Sequence, residues 1–406
     1  MSNVHPAGRA AAAPLFRRGA WSLLLLTGLG AAACADRTPA AAPVLPSPAR
    51  IDAEVRRVMA ATGAKGLALA VIDDGRVAHL QSYGQRNARG EPLQIDTVMY
   101  GASLTKAVVA YTVLQLADEG RIALDRPIAE LLPQPLPAYP TEARYAPWSD
   151  LAGDERWRSI TPRILLSHRA GFANFAFLEP DGKLRLHFEP GSRYAYSGEG
   201  MTLLQFVLER GLGLDLGREM QRRVFDRFGM LRTSMTWRPD FAGNLADGYG
   251  ADGRAVPHDQ RSRVRAAGSM DTTATDFARF AAGFMRGEGL SAQARAQMTQ
   301  AQAPITTAHQ FPTLEPELPP ARRRADLAAG LGVVVFSGPQ GAGFYKGGHN
   351  DSTGNTWVCL ERRRACVLLL ANDVRAEAAF PGLVRLILGE TGVPWDWEYN
   401  PLPPAP

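Results

Sequence analysis

Ser103 and Lys106 are the first pair in the sequence whose types and spacing point to chemistry, in the order Ser-Leu-Thr-Lys. Residues three apart share one face of a helix, so a helix that begins at Ser103 would bring the lysine amine to the serine hydroxyl. A serine hydroxyl is a weak nucleophile that needs a base. A lysine can be that base when burial or a nearby cation lowers its pKa. The pair predicts acyl transfer, although the same spacing also arises by chance.

Patterns for other chemistries are missing from the sequence. The seven histidines are scattered, with no His-x-His or His-Glu-x-x-His spacing, so we expect no metal and no other cofactor. No Gly-x-Ser-x-Gly elbow occurs, which disfavours an α/β-hydrolase. Basic residues cluster only briefly, at 322–324 and 362–364. We interpret these clusters as solvated loops and expect no nucleic-acid partner.

The elements that would position this pair form an α+β pattern. Apolar runs at 66–72 and 76–83 flank Asp74-Gly75 and predict a hairpin. Apolar residues at helical spacing predict a helix from Ser103 to Glu119. Strands are expected at 331–336, 343–346, 356–360 and 365–371, and a last helix at 380–388. We therefore predict an antiparallel β-sheet flanked by helices, with an inserted, mostly helical subdomain. The Pro-, Gln- and Arg-rich segment 298–326 reads as a surface excursion.

The first 33 residues have the features of an export signal. Arg17 and Arg18 precede the apolar stretch 20–33, which suits a signal peptide better than a membrane-spanning helix. Removing 1–33, which holds three arginines and no acidic residue, lowers the formal charge from +5 to +2. Cys34 follows small residues, so we expect lipidation there and a periplasmic, membrane-anchored protein. The alternative is ordinary cleavage near Ala33 or Ala35, which would leave a soluble periplasmic protein.

Residues 34–49 are rich in alanine and proline and read as an extended tether. The catalytic domain is predicted over 50–395, and 396–406 are interpreted as a C-terminal tail. Cys359 and Cys366 flank a short basic loop between two apolar runs. A hairpin turning at 361–364 would set them opposite each other, and an exported compartment permits a disulfide. Two buried thiols are the alternative.

Several segments together resemble the serine β-lactamase superfamily, which includes class C β-lactamases and penicillin-binding proteins. The first is Met99–Lys106, which resembles the nucleophile segment of that family. The others follow it in family order and extend the resemblance over about residues 51–390. They are Leu114–Ile128, Ile160–Phe172, Phe188–Gly198, Val224–Met230 and Ala267–Asp276.

The resemblance implies a role for each matching residue. Ser103 would form the acyl-enzyme, with Lys106 removing its proton or tuning the base. Tyr196 would act as general base and acid, and we expect flanking lysines to lower the pKa of its phenol. Lys346-Gly347-Gly348 matches the third motif, although His349 is a second candidate for the cationic position. The backbone N–H groups of Ser103 and His349, beside Gly348, would form the oxyanion hole.

One position departs from the family pattern. The second motif normally reads Tyr-x-Asn, but here it is Tyr196-Ser197-Gly198. The missing amide puts strong β-lactamase activity in doubt and favours ester, peptide or D-amino-acid amide substrates. Ser197 or Glu199 are possible substitutes. We predict that Gly198→Asn raises turnover of β-lactams relative to esters.

Two readings of function follow. The leading one is a serine hydrolase whose partner is a small-molecule or peptide acyl substrate. The alternative is a catalytically idle lipoprotein that binds peptidoglycan or peptides on the same scaffold. His168 is tempting as a catalytic histidine, but its place in the family-like segment favours a hydrogen-bonded structural role. The sequence does not indicate an oligomeric state.

Overall fold

A computed structural model describes residues 45–399 of the chain. The predicted signal peptide, Cys34 and residues 400–406 lie outside this range. The described helices are α1 (Pro48–Thr62), α2 (Leu104–Asp118), α3 (Pro162–Leu166), α4 (Gly198–Phe206), α5 (Leu216–Met220), α6 (Ala274–Met285), α7 (Ala292–Thr299), α8 (Phe380–Leu388) and α9 (Trp395–Glu398).

The described strands are β1 (Gly66–Asp73), β2 (Arg76–Gly84), β3 (Met99–Tyr100), β4 (Gly248–Tyr249), β5 (Ala255–Val256), β6 (Asp271–Thr272), β7 (Ala303–Pro304), β8 (Leu327–Ala329), β9 (Val334–Gly338), β10 (Gly341–Asn350), β11 (Thr353–Leu360) and β12 (Ala365–Ala371). Eight of them form one sheet in the order β2-β1-β12-β11-β10-β9-β8-β7. The pairings within this sheet are antiparallel. The predicted α+β class is confirmed.

Strand β1 shows why this sheet forms the centre of the domain. It pairs with β12, so the first strand and the last strand of the sequence lie side by side. Its residues Gly66–Ile72 are all buried, which requires cover on both faces. Leu67, Leu69 and Val71 pack in the cluster that contains α1 and α8. Ala68, Ala70 and Ile72 face the larger cluster formed with α2 and α6.

Helix α2 runs through the larger cluster and is buried on every side from Leu104 to Leu116. A helix without a polar face belongs in the interior of a protein. The segment from α3 to α7 surrounds it with short helices, including two π-helical turns at Val207–Gly211 and Gln221–Phe225. The first residues of α2 are therefore held rigidly by the core, and Ser103 directly precedes them.

The predicted C-terminal hairpin is present, with β11 and β12 joined by residues 361–364. Cys359 and Cys366 are directly opposite in its register, and the structure joins them as a disulfide. Both are fully buried. The bond therefore closes the hairpin on the face that carries Trp357 and packs against α6.

The structure is ordered on both sides of the predicted domain boundaries at 50 and 395. Helix α1 already begins at Pro48, where Ser47 caps it by accepting a hydrogen bond from the N–H of Arg50. At the other end, Trp397 and Glu398 are buried. Apolar packing therefore continues into the segments predicted to be tether and tail. None of the helices within 45–399 combines the length and apolarity needed to cross a bilayer.

Candidate active site

Ser103 stands at the entrance to α2 in an unusual local conformation. Ala102, which precedes it, has φ 46°, a left-handed backbone that non-glycine residues adopt only when surrounding packing enforces it. A serine at the start of a helix usually caps it through its hydroxyl. Ser103 has helical torsions and makes no such cap. Its hydroxyl is therefore free to interact across the site.

Lys106 lies one turn into α2 and reaches back to the serine, as the spacing predicted. Its Nζ is 2.9 Å from Ser103 Oγ and also donates a hydrogen bond to the backbone oxygen of Ala267. The side chain is 1% exposed. Burial, reinforced by the charge of Lys346, holds the pKa of Lys106 well below its ordinary value. This shift favours the uncharged form of the amine, which is the form that can accept a proton.

Tyr196 approaches Ser103 from the other side, with 2.8 Å between its phenol oxygen and Ser103 Oγ. His168 holds this segment. Its backbone oxygen accepts from the N–H of Ala195 at 2.8 Å, and its Nδ1 accepts from the N–H of Ser197 at 3.3 Å. The imidazole lies against the Tyr196 ring with centroids 4.5 Å apart. Burial holds the pKa of His168 well below its ordinary value, so this residue supports Tyr196 as a neutral group.

The expectation that lysines lower the pKa of Tyr196 is wrong. Nζ of Lys106 and Nζ of Lys346 lie 4.9 and 5.1 Å from the ring centroid. Desolvation nevertheless dominates and raises the pKa of the phenol, opposed by the hydrogen bond with Ser103 and assisted by the charge of Glu398. Tyr196 is therefore a protonated phenol at neutral pH.

The structure separates the two candidates for the third motif. Lys346 lies on β10 with its amine buried near Tyr196, where it donates to the Gly347 carbonyl at 2.6 Å. Burial lowers its pKa to about 8, against the opposing effect of Glu398, so it remains largely charged at neutral pH. His349 is partly exposed and its Nδ1 lies 3.3 Å from Glu377. Desolvation disfavours its charged form, but the Glu377 carboxylate outweighs this and raises the pKa of His349.

Gly348 brings β10 against the start of α2. A Cβ at this position would lie 2.9 Å from the Leu104 nitrogen and 3.0 Å from both the Ser103 nitrogen and the Gly101 oxygen. These are backbone atoms, which cannot move aside as a flexible side chain can. Only glycine permits this close approach. It places β10, the strand expected to contribute to the oxyanion hole, directly beside the N–H of Ser103.

One cavity of about 450 Å³ is lined by Ser103, Lys106, Tyr196, Lys346, Gly348 and His349. Its walls also include residues that sequence reasoning did not select. These residues come from separate segments of the chain, and none of them belongs to a motif. They are Asn174, Phe175, Arg265, Gln310, Phe311 and Glu398. Segment 298–326 is therefore more than a surface excursion, because the Phe311 ring packs 5.3 Å from that of Tyr196. Within residues 45–399, no three His, Cys, Asp or Glu side chains form a group that could hold a metal ion.

Comparison with known proteins identifies relatives of this chain. The family model Beta-lactamase matches residues 51–388. Lovastatin esterase of Penicillium rubens is 28% identical over 200 residues, which cover 43% of this chain and 49% of that protein. The D-alanyl-D-alanine-carboxypeptidase/endopeptidase AmpH of Escherichia coli is 26% identical over 197 residues, which cover 47% and 50%. The chain thus spans about half the length of these curated relatives.

A solved structure extends the likeness of the fold beyond these segments. The octameric penicillin-binding protein homologue from Pyrococcus abyssi superposes with a TM-score of 0.66 at 17% identity, covering 83% of this chain and 76% of its own. Because the family model spans nearly the whole described domain, the resemblance seen in the sequence motifs is confirmed, and this chain belongs to the Beta-lactamase family.

Proposed function

We propose that this protein is a serine hydrolase that forms an acyl-enzyme at Ser103 and acts on ester, peptide or amide substrates. The observation that supports this most strongly is the position of Ser103 Oγ, 2.9 Å from the Lys106 amine and 2.8 Å from the Tyr196 phenol. A nucleophile in contact with a base and an acid is the arrangement that covalent acyl transfer requires.

In acylation, Ser103 Oγ attacks the acyl carbon while its proton passes to the uncharged amine of Lys106. The carbonyl oxygen becomes an oxyanion, which the N–H groups of Ser103 and His349 would stabilise. Tyr196 gives its phenolic proton to the leaving group as the scissile bond breaks, and it recovers a proton from Lys106. The net proton transfer is from the serine to the leaving group, and the Ser103 ester remains.

In deacylation, water takes the place of the leaving group and the same steps run in reverse. Water loses a proton to the Tyr196–Lys106 pair as its oxygen attacks the acyl carbon. The bond between that carbon and Ser103 Oγ then breaks, and the pair returns a proton to Oγ. The buried charge of Lys346 stabilises negative charge near Tyr196 throughout both steps.

Two relatives support the substrate range, since one is named as an esterase and the other as a D-alanyl-D-alanine-carboxypeptidase/endopeptidase. The missing carboxamide at Gly198 argues against efficient β-lactam turnover. For the N-terminal region the proposal includes export to the periplasm, because 1–33 has the features of a signal peptide. Lipidation at Cys34 is part of the same proposal.

A fluorophosphonate probe tests the proposal directly, because it phosphonylates an activated serine. We expect labelling of the wild-type protein and none of Ser103→Ala. The variant should melt at the same temperature as the wild type and should hydrolyse none of a panel of p-nitrophenyl esters, D-Ala-D-Ala peptides, D-amino-acid amides and nitrocefin. Absence of labelling and of turnover in the wild type would favour the idle binding protein instead.

A further inference from the structure

The C-terminal helix α9 places a carboxylate in the wall of the cavity. Glu398 is 5% exposed and lines the cavity together with Lys346. Its Oε2 accepts hydrogen bonds from Nε2 of Gln310 at 2.7 Å and from the phenol of Tyr345 at 3.2 Å. An oxygen that accepts from two donors fits an ionised carboxylate, which has only acceptors to offer. Glu398 therefore adds a negative charge to the site, and two buried side chains hold it in place.

The second oxygen of Glu398 reaches the strand that carries Lys346. A Cβ built on Gly347 would overlap Oε1 of Glu398 and would lie 3.1 Å from its Cδ. The carboxylate thus fills the volume that a side chain at 347 would take. Lys346 is the preceding residue, and its amine donates to the Gly347 oxygen at 2.6 Å. A negative and a positive group therefore contact the same glycine of β10.

These two charges lie where the leaving group would depart. In the proposed mechanism Tyr196 gives its proton to the leaving group, and Nζ of Lys346 is 5.1 Å from the centroid of the Tyr196 ring. Burial is the main cause of the raised pKa of Tyr196 and of the lowered pKa of Lys346. The charge of Glu398 adds to the first shift and opposes the second. A substituent on the leaving group would therefore meet both charges.

The other basic side chains of the lining do not change this balance. Arg144 pairs with Glu209 and His349 pairs with Glu377, each at 3.3 Å. Arg265 is exposed at the mouth of the cavity, where water and salt screen its charge. The balance near Tyr196 is therefore set by the charges on the two sides of Gly347.

This balance bears on substrates whose leaving group is an anion. Lys346 alone would attract a carboxylate, because Coulomb interactions in a partly buried site are several times stronger than in water. Glu398 repels the same carboxylate and cancels this attraction. The anion would then lose its hydration on entering the cavity without a compensating interaction, which is costly. An uncharged leaving group does not have this cost.

We propose that Glu398 is a specificity-determining residue that selects against acyl substrates whose leaving group carries a carboxylate. This inference rests on the proposed hydrolase function and narrows its substrates to esters and amides with uncharged or cationic leaving groups. Peptides that end in a free carboxylate should then be poor substrates.

Two aryl acetates of nearly identical shape isolate the effect of charge. 3-Carboxyphenyl acetate has an anionic leaving group, and 3-carbamoylphenyl acetate replaces the carboxylate by an uncharged amide. Each kcat/KM is divided by the rate of alkaline hydrolysis of the same ester, which removes differences in intrinsic reactivity. In the wild type we expect the carbamoyl ester to exceed the carboxy ester by about tenfold.

Glu398→Gln should remove this preference. The variant loses the charge but keeps an oxygen that can accept from Gln310 and Tyr345, so its melting temperature should stay close to that of the wild type. The attraction of Lys346 is then unopposed, and the ratio of carbamoyl to carboxy ester should fall by about tenfold or more. Asp396→Asn is the matched control, since it removes the same charge from the same helix at a side chain that is 82% exposed. Its ratio should match the wild type.

A wild-type ratio of one or less would overturn the inference alone, and this result requires no variant to fold. A ratio unchanged in folded Glu398→Gln would overturn it as well, as would an equal change in Asp396→Asn. Absence of Ser103-dependent hydrolysis of both esters would overturn the proposed function together with the inference.

Discussion

At the scale of single residues, burial determines which group would accept the proton of Ser103 in the mechanism that we propose. Desolvation disfavours the charged form of any group, so it lowers the pKa of Lys106 and raises that of Tyr196. Both shifts favour the neutral form, an amine and a phenol on either side of one hydroxyl. The assignment of Lys106 as proton acceptor and Tyr196 as proton donor follows from this common cause.

The pH profile should report these protonation states. Activity requires neutral Lys106, so kcat/KM should be lost as the pH falls through the lowered pKa of that amine. Lys346 must be charged, and its pKa is lowered to about 8, so kcat/KM should also fall as the pH rises through about 8. The measurement is kcat/KM for a p-nitrophenyl ester across the pH range, corrected for spontaneous hydrolysis.

Lys346→Arg gives the control for this profile, because a guanidinium stays charged throughout the range. Its absolute activity should be lower, but the alkaline limb near pH 8 should disappear. Lys183→Arg, at an exposed position, should leave the profile of the wild type unchanged. An alkaline limb at the same pH in Lys346→Arg would show that another group is responsible.

The Phe175 ring, which lies beside Gly198, changes what Gly198→Asn alone should do. The new side chain would collide with the Phe175 ring, so the single variant should lose stability without gaining a β-lactam contact. Phe175→Ala with Gly198→Asn removes the collision. We expect the double variant to raise the nitrocefin to ester ratio of kcat/KM by about tenfold over Phe175→Ala alone, the equivalent of one hydrogen bond. An unchanged ratio would contradict our account of the missing amide.

At the scale of elements, the site depends on one strand meeting one helix. Strand β9 pairs with β10 only as far as Tyr345, while β11 pairs with β10 from Gly343 to Asn350. The last residues of β10 therefore have an edge free of β9, and Gly348 presses against the first turn of α2 there. The expected oxyanion hole would be formed at this contact between two elements.

Gly348→Ala tests that contact. Its methyl group would meet backbone atoms of Leu104, Ser103 and Gly101, so β10 must move away from the nucleophile. We expect kcat to fall by about 10², the usual effect of losing an oxyanion donor. Gly382→Ala is the matched control, since a Cβ there meets nothing within 4 Å, and its kcat should match the wild type. Equal kcat in Gly348→Ala would refute the role of the contact.

The elements themselves were largely predictable from the sequence. The turn signal at Asp74-Gly75 predicted β1 and β2, which are present. Phe380–Leu388 is helical, as its pattern predicted. Local turn chemistry and periodicity determine such elements. Strand β10 runs from Gly341 to Asn350, longer than the predicted 343–346. Its glycines resemble a loop in sequence, but pairing with β11 extends the strand.

The site was predictable only where a motif marks it. Ser103, Lys106, Tyr196 and Lys346 meet as expected, since each lies in a family-like segment. Gln310 and Glu398 carry no such pattern. They reach the cavity because Nε2 of Gln310 donates to Oε2 of Glu398 at 2.7 Å, a contact between residues far apart in sequence. Tertiary contacts of this kind leave no local signal.

At the scale of the whole molecule, the two ends of the described chain complete the domain. Helix α1 packs on the same layer as α8 and α9, against the outer face of the sheet. Helix α9 then brings Glu398 to the cavity, where Tyr345 also donates to it at 3.2 Å. The C-terminal segment is therefore part of the catalytic domain in both packing and site.

Trp397→Ala should show how much stability this segment contributes. The indole is 1% exposed, and removing a buried tryptophan costs about 3–5 kcal/mol of unfolding free energy. Trp395→Ala, on the same helix but only partly buried, should cost clearly less. Denaturant unfolding of both variants gives the comparison. If Trp397→Ala lost no more unfolding free energy than Trp395→Ala, the segment would not contribute to the stability of the domain.

The central claim is that Ser103 becomes covalently acylated during turnover. We would incubate the protein with a p-nitrophenyl ester, quench it in acid during the steady state, and measure the intact mass and the masses of its peptides. The account predicts a mass increase equal to the acyl group on the peptide that contains Ser103, and no such increase in Ser103→Ala. Turnover by the wild type without this adduct, retained in full by Ser103→Ala, would contradict it.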